Sequence, residues 1–127
     1  MSETSDSTKA VGAQDSISQE KISIDEFGRL DLRVAKVLEA EAIPGATRLL
    51  KLIVDLGSEK RQLVAGIAEV YQPESLVGRT IIVVANLKPA RLRGVESDGM
   101  LLAAQPPGGK PILATFDESV PPGSKVR

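Results

Sequence analysis

The chain has no cysteine, no histidine and no tryptophan. Without cysteine there are no disulfides, no thiolate catalysis and no cysteine-based zinc site. Without histidine the usual general base, the usual triad member and the commonest metal ligand are gone. Aromatic residues make up 2% of the chain, namely Phe27, Tyr71 and Phe116. Folds that grip single-stranded nucleic acid stack bases on aromatic rings, at roughly 1–3 kcal/mol per base. A chain with three rings, each placed where core packing or a helix end is expected, is poorly equipped for that. No apolar run approaches the length of a membrane helix, and the first residues have neither the basic nor the apolar region of a secretory leader. A soluble, cytoplasmic, non-catalytic protein that needs no metal and no cofactor is the expectation.

Strong charge is missing too. The formal net charge is −1 and the sequence pI is about 5.5, which argues against coating nucleic acid by bulk charge. The distribution is uneven, however. Residues 1–24 hold two cations (Lys9, Lys21) and four anions (Glu3, Asp6, Asp15, Glu20), so the remainder carries a net +1. Any cationic footprint must therefore be local.

What is present divides in two. Residues 1–20, MSETSDSTKAVGAQDSISQE, are polar, rich in Ser and Thr, and without hydrophobic period. They read as a disordered tail or linker. Residues 21–127 read as one domain with a small core. Asp25–Gly28 suits one helical turn, with Phe27 as an inward plug. Leu30–Ala42 reads as a strand, with Leu30, Leu32 and Val34 alternating against Asp31, Arg33 and Ala35. The phase breaks between Ala35 and Leu38, where a bulge keeps Lys36 outside and bends the strand. Leu49–Leu56 is the second strand, with Leu50, Leu52, Val54 and Leu56 on one face and Lys51 and Asp55 on the other. Arg61–Ala65 is the third. Gly66–Tyr71 suits a short helix ended by Pro73, with Pro73–Gly78 as a connector. Thr80–Ala85 and Met100–Ala104 are the fourth and fifth strands. A short strand at Ile112–Thr115 precedes a Pro/Gly-rich end.

The informative stretch lies between the last two long strands: NLKPARLRGVESDGM, residues 86–100. About a dozen residues are too many for a tight turn, so this loop needs a shape of its own. Pro89 biases Lys88 towards an extended conformation. An extended Arg91–Arg93 places both guanidinium groups on one face. Gly94 and Gly99 permit sharp bends. Arginine suits phosphate, because its planar fork donates two parallel hydrogen bonds. A cationic loop pinned between buried strands is a grip for phosphate. Glu96 and Asp98 invite a metal-site reading, but no third ligand or electrophile accompanies them. Local pairing with Arg91 or Arg93, at about 0–1 kcal/mol each, is the expectation.

Three strands, a short helix and two strands, followed by a small C-terminal strand extension, is the order of an all-β, five-stranded OB-fold barrel with its helix between strands 3 and 4. In that architecture the loop joining strands four and five is one of the regions that bind oligonucleotides. Fold alone does not fix function.

The motifs carry a resemblance. They are Asp31-Leu-Arg-Val34, Val54-Asp-Leu-Gly57, Arg61-Gln-Leu-Val-Ala-Gly66, Asn86-Leu-Lys-Pro89, Leu92-Arg-Gly94 and Ser97-Asp-Gly-Met100. In this order, over about residues 24–127, they resemble a tRNA-binding domain. That domain occurs at the C-terminus of bacterial methionyl-tRNA synthetases, as a free-standing bacterial protein, and in endothelial-monocyte-activating polypeptides. The resemblance implies a homodimeric, non-catalytic OB-fold that binds folded tRNA by backbone and shape, with weak sequence selectivity. A synthetase body is an implied partner, and a membrane is not. The RNA-contacting positions carry over as Asn86, Lys88, Arg91, Arg93, Ser97 and Met100. Arg33 and Lys36 match as well, with a structural role equally open. By themselves Asn86 and Ser97 also suit turn hydrogen bonds, and Met100 suits core filling. The family often has His-Pro and then Ala-Asp-Lys-Leu after the first strand. Here Ile43-Pro44 and Ala46-Thr-Arg-Leu49 stand instead, which weakens the case for an RNA contact from that turn. A chain opening with Met1 and holding no catalytic body suits a free-standing form, and an excised synthetase domain would look the same. A secretion-chaperone branch with similar strands supplies the alternative, peptide binding. That branch lacks the lysine and the Gly-Met that Lys88 and Gly99-Met100 provide here.

Overall fold

The computed structural model describes residues 20–127, so the expected tail lies outside the described residues apart from Glu20. The first element is a helical turn, α1 (Ile24–Phe27), closed by a capping box. The Ser23 Oγ accepts from the Glu26 N–H at 3.1 Å, and the Ser23 N–H donates to the Glu26 carboxylate at 2.9 Å. None of its residues is buried, so Phe27 is not the expected plug.

Strand β1 (Leu32–Ala42) starts two residues later than its apolar pattern suggests. It is the spine of the sheet. Antiparallel partners are β4 (Thr80–Val84) along its first half and β2 (Leu50–Asp55) along its second. The register shifts between Val37 and Glu39, which is the expected bulge, and Lys36 stays exposed. Val34 and Ala35 are both buried although they are neighbours. Ala35 joins the main core. Val34 exchanges backbone hydrogen bonds with Gly123 and Ser124, in the segment leading to β10 (Lys125–Val126), which also pairs with β1. The Pro/Gly-rich end therefore supplies an edge strand.

In β2 the alternation holds, with Leu50, Leu52, Val54 and, just past its end, Leu56 all buried. Strand β3 (Lys60–Ala65) pairs with it throughout. The short helix between strands is α2 (Pro73–Leu76), and Gly66–Tyr71 forms a turn instead. Pro73 starts the helix where it was expected to end one. At the first helical position its fixed φ is favourable and its missing N–H is no loss.

The stretch after β4 departs most from expectation. It contains a two-stranded hairpin, β5 (Ala90–Leu92) and β6 (Val95–Ser97). The expected fifth strand is split at Leu102 into β7 (Met100–Leu101), which pairs with β4, and β8 (Ala103–Ala104). The latter pairs with β9 (Ile112–Leu113). The main sheet runs β3-β2-β1-β4-β7. Side chains and one backbone hydrogen bond, rather than a ladder, close the gap from β3 to β6. The Gln62 Nε2 donates to the Glu96 carbonyl at 2.8 Å, and the Asp98 N–H to the Gln62 carbonyl at 2.8 Å. The result is a nearly closed barrel around Ala35, Val37, Leu52, Val54, Leu63, Ile81 and Val83. Among the described residues no helix is long and apolar enough to cross a membrane.

Candidate nucleic-acid interface

The β5–β6 hairpin stands on two anchored limbs. On the outgoing limb, the Asn86 Oδ1 accepts from the Asp31 N–H at 2.8 Å, and its Nδ2 donates to the Arg29 carbonyl at 2.6 Å. One bond accepted and one donated tie the hairpin base to the N-terminal segment, while the exposed amide keeps a second N–H and a second lone pair. On the returning limb Ser97 is 6% exposed. Its Oγ accepts from the Val64 N–H and donates to the Gly99 carbonyl, both at 2.9 Å. The hydroxyl is buried, with one bond accepted and one donated, which is the geometry of the turn-bonding alternative and not of a side chain turned to an external phosphate. Both side chains thus make the local hydrogen bonds that the sequence left open for them, Ser97 while buried and Asn86 while exposed.

The cations lie on the exposed parts of the hairpin. Arg93 and Gly94 form its two-residue turn, with φ of 54° and 78°. Two positive φ values are the pattern of the type I′ turn that matches strand twist. Arg93 is therefore at a left-handed position, and the expected extended run sharing one face with Arg91 does not form. Arg91 braces the turn from β5, its NH2 donating to the Gly94 carbonyl at 2.7 Å. Its NH1 lies 4.0 Å from the Glu96 carboxylate, a loose contact between exposed groups. Asp98 does not pair with the hairpin arginines; it lies 3.5 Å from Arg61. Lys88 and Arg93 are exposed, and neither pairs with a carboxylate among the described residues. Met100 is exposed on β7 and is not core filler.

The other two matched cations differ. Arg33 is half-buried, with Nε donating to Asp31 at 2.7 Å and NH1 to the Gly123 carbonyl at 3.1 Å. It joins β1 to the C-terminal segment. Lys36 is exposed but sits mid-strand between Thr80 and Asp55, off the hairpin.

Beside the hairpin runs an open groove of about 350 Å³, lined by Ile43, Pro44, Lys51, Gln62, Arg91 and Glu96 among others. It lies between the β1–β2 turn and the hairpin. No aromatic residue lines it. Lys51 pairs with Glu41 at 3.0 Å. Sequence reasoning put Lys51 on the outward face of its strand without making it a site residue, and passed over Gln62. Strand alternation together with the inter-strand loop position was the available signal.

A small barrel with a cationic hairpin between its fourth strand and the strand that returns to it is an OB-fold of the oligonucleotide-binding kind. Residues 32–125 match the family model described as "putative tRNA binding domain", and the chain belongs to that family. The methionine–tRNA ligase of Thermotoga maritima is 60% identical over 111 residues, covering 87% of this chain and 18% of that protein. The corresponding ligase of Methanocaldococcus jannaschii is 55% identical, covering 85% of this chain and 17% of that protein. The chain thus spans less than a fifth of these relatives. Among solved structures, the MetRS-related protein of Pyrococcus horikoshii superposes with a TM-score of 0.82 at 44% identity, covering 86% of this chain and all of that one. The chaperone CsaA of Bacillus anthracis superposes at 0.78 with 31% identity, covering 85% of this chain and all of that one.

Proposed function

We propose that this domain is a non-catalytic tRNA-binding module that holds folded RNA by its backbone and shape, with weak sequence selectivity. It serves in the cytoplasm, either free-standing or as the C-terminal part of a methionyl-tRNA synthetase. The observation that carries the reading is the hairpin itself: Lys88 and Arg93 exposed, without carboxylate partners among the described residues, on a loop anchored at both ends. Arg91, Arg93 and Lys88 meet phosphate, and Met100 and the adjoining groove meet the sugar edge. Family membership supports tRNA as the RNA. The lack of rings in the groove supports recognition of backbone and 2′-hydroxyls over stacking on a single strand. Beside a synthetase body, such a second contact raises the effective concentration of tRNA at the aminoacylation site.

The test is a salt series on tRNA binding with the triple variant Lys88→Ala, Arg91→Ala, Arg93→Ala. Every phosphate that goes unbound in the variant should flatten the slope of log affinity against log salt by roughly 0.7–0.9. Unchanged affinity and slope would remove the hairpin from the interface. The likeness to CsaA supports a second reading, peptide binding. Competition between tRNA and an unfolded peptide in moderate salt separates the two, and displacement of peptide by tRNA at lower concentration is the expected outcome.

A further inference from the structure

We propose that Arg61, which lies on β3 and not on the hairpin, is the positioning residue that holds the RNA-binding hairpin in its working geometry. The inference rests on the RNA-binding reading above. Its side chain is 20% exposed. NH1 donates to two carbonyls at once, that of Ala85 at 2.8 Å and that of Asp98 at 3.2 Å. Ala85 immediately precedes Asn86 on the outgoing limb. Asp98 follows Ser97 on the returning limb. One nitrogen therefore clasps the two limbs together at the base of the hairpin.

The rest of the guanidinium is equally committed. Nε donates to the Glu59 carboxylate at 2.9 Å, NH2 lies 2.7 Å from the same oxygen, and the Asp98 carboxylate lies 3.5 Å from Nε. Two carboxylates meet its charge, so Arg61 is a cation without phosphate to bind. They also fix the plane of the fork, which is what aims NH1 at both carbonyls. A lysine places one ammonium at the end of a flexible stem and cannot serve both sides of this arrangement. Asn86 and Ser97 each hold one limb; Arg61 holds both. Its effect on RNA therefore passes through the hairpin.

Amide hydrogen exchange over residues 86–99 of the protein alone, together with a tRNA salt series, tests this in Arg61→Gln and Arg61→Lys. In both variants the hairpin amides should exchange roughly tenfold faster while those of β1 and β2 keep their protection. The affinity for tRNA should fall roughly three- to tenfold, because binding must now order a loosened loop. The salt slope should stay at the wild-type value, since every phosphate-binding cation remains in place. Adding Arg93→Ala should cost less in the Arg61→Gln background than in the wild type, because the two act on one element. A hairpin that exchanges at the wild-type rate overturns the proposal. So does a slope reduced by the value of one phosphate, which would make Arg61 a phosphate ligand, or strict additivity with Arg93→Ala. If Arg61→Gln does not fold, Arg61→Lys keeps the charge and the buried stem and carries the same readouts. If the wild type does not bind tRNA while Arg61→Gln still loosens the hairpin, the RNA reading fails and the clasp stands.

Discussion

Ser97 shows how one side chain separates two roles that a motif leaves together. Its hydroxyl pairs a buried backbone N–H, that of Val64, and caps the Gly99 carbonyl. Ser97→Ala would leave the Val64 N–H without a partner away from water. Orphaning a buried donor costs about 1–3 kcal/mol, and each kcal/mol lowers the melting temperature of a domain this size by roughly 4–8 °C. Thermal unfolding should therefore detect the substitution. The salt slope of tRNA binding should not move, since the cations are all retained. A variant with wild-type melting and a large loss of affinity would restore Ser97 to the interface. Sequence reasoning found this residue and its turn-bonding alternative. It could not choose between them, because Val64 lies more than thirty positions away and only the closed barrel brings it near.

The elements legible in the sequence are those whose pattern is local. Strand β2 and the opening residues of β1, Leu32–Val34, show their alternation directly, and Thr80–Val84 is a run of β-branched residues. The hairpin and β10 are short, and their partners make them strands. A three-residue strand has no period to read, and a two-residue one has none at all. Their signals are turn residues instead. Gly123 is the case in point, with φ of 90° where the C-terminal segment crosses the end of β2. A Cβ there would stand 2.6 Å from the Leu56 carbonyl oxygen. Opposite it, a Cβ on Gly57 would stand 2.7 Å from the Pro122 carbonyl oxygen. Both obstacles are backbone and cannot rotate aside. Gly123→Ala should cost about 2–4 kcal/mol from the left-handed backbone and the clash together. It should also free β10 from β1, exposing the amides of Val34 and Val126 to exchange. Near-wild-type unfolding would mean that this crossing is not held in solution.

At the scale of the molecule the unbalanced feature is the N-terminal surface. A four-residue helix is not stable by propensity alone, and α1 buries none of its residues. Ile24 is 79% exposed, Ile22, Phe27 and Leu30 of the same segment are exposed with it, and so is Leu87, next to the Asn86 that bonds to this segment. The capping box and the Asn86 bonds to Arg29 and Asp31 hold this apolar row in place rather than let it fray. Ile112 adds a further exposed apolar side chain near the other chain end, although Leu113 and Phe116 are half-buried. A fixed apolar surface of this kind is suited to a second copy. A two-fold dimer through it would be self-complementary and would put two cationic hairpins on one particle. Two linked contacts strengthen binding without any new chemistry when one tRNA spans both. Sedimentation at micromolar concentration should therefore give a dimer, and Ile24→Asp with Phe27→Asp should give a folded monomer. Since neither residue is buried within the chain, the melting of an isolated subunit should change little. The monomer should bind tRNA more weakly with its hairpin intact, and a wild-type protein that sediments as a monomer would leave the apolar row without this explanation.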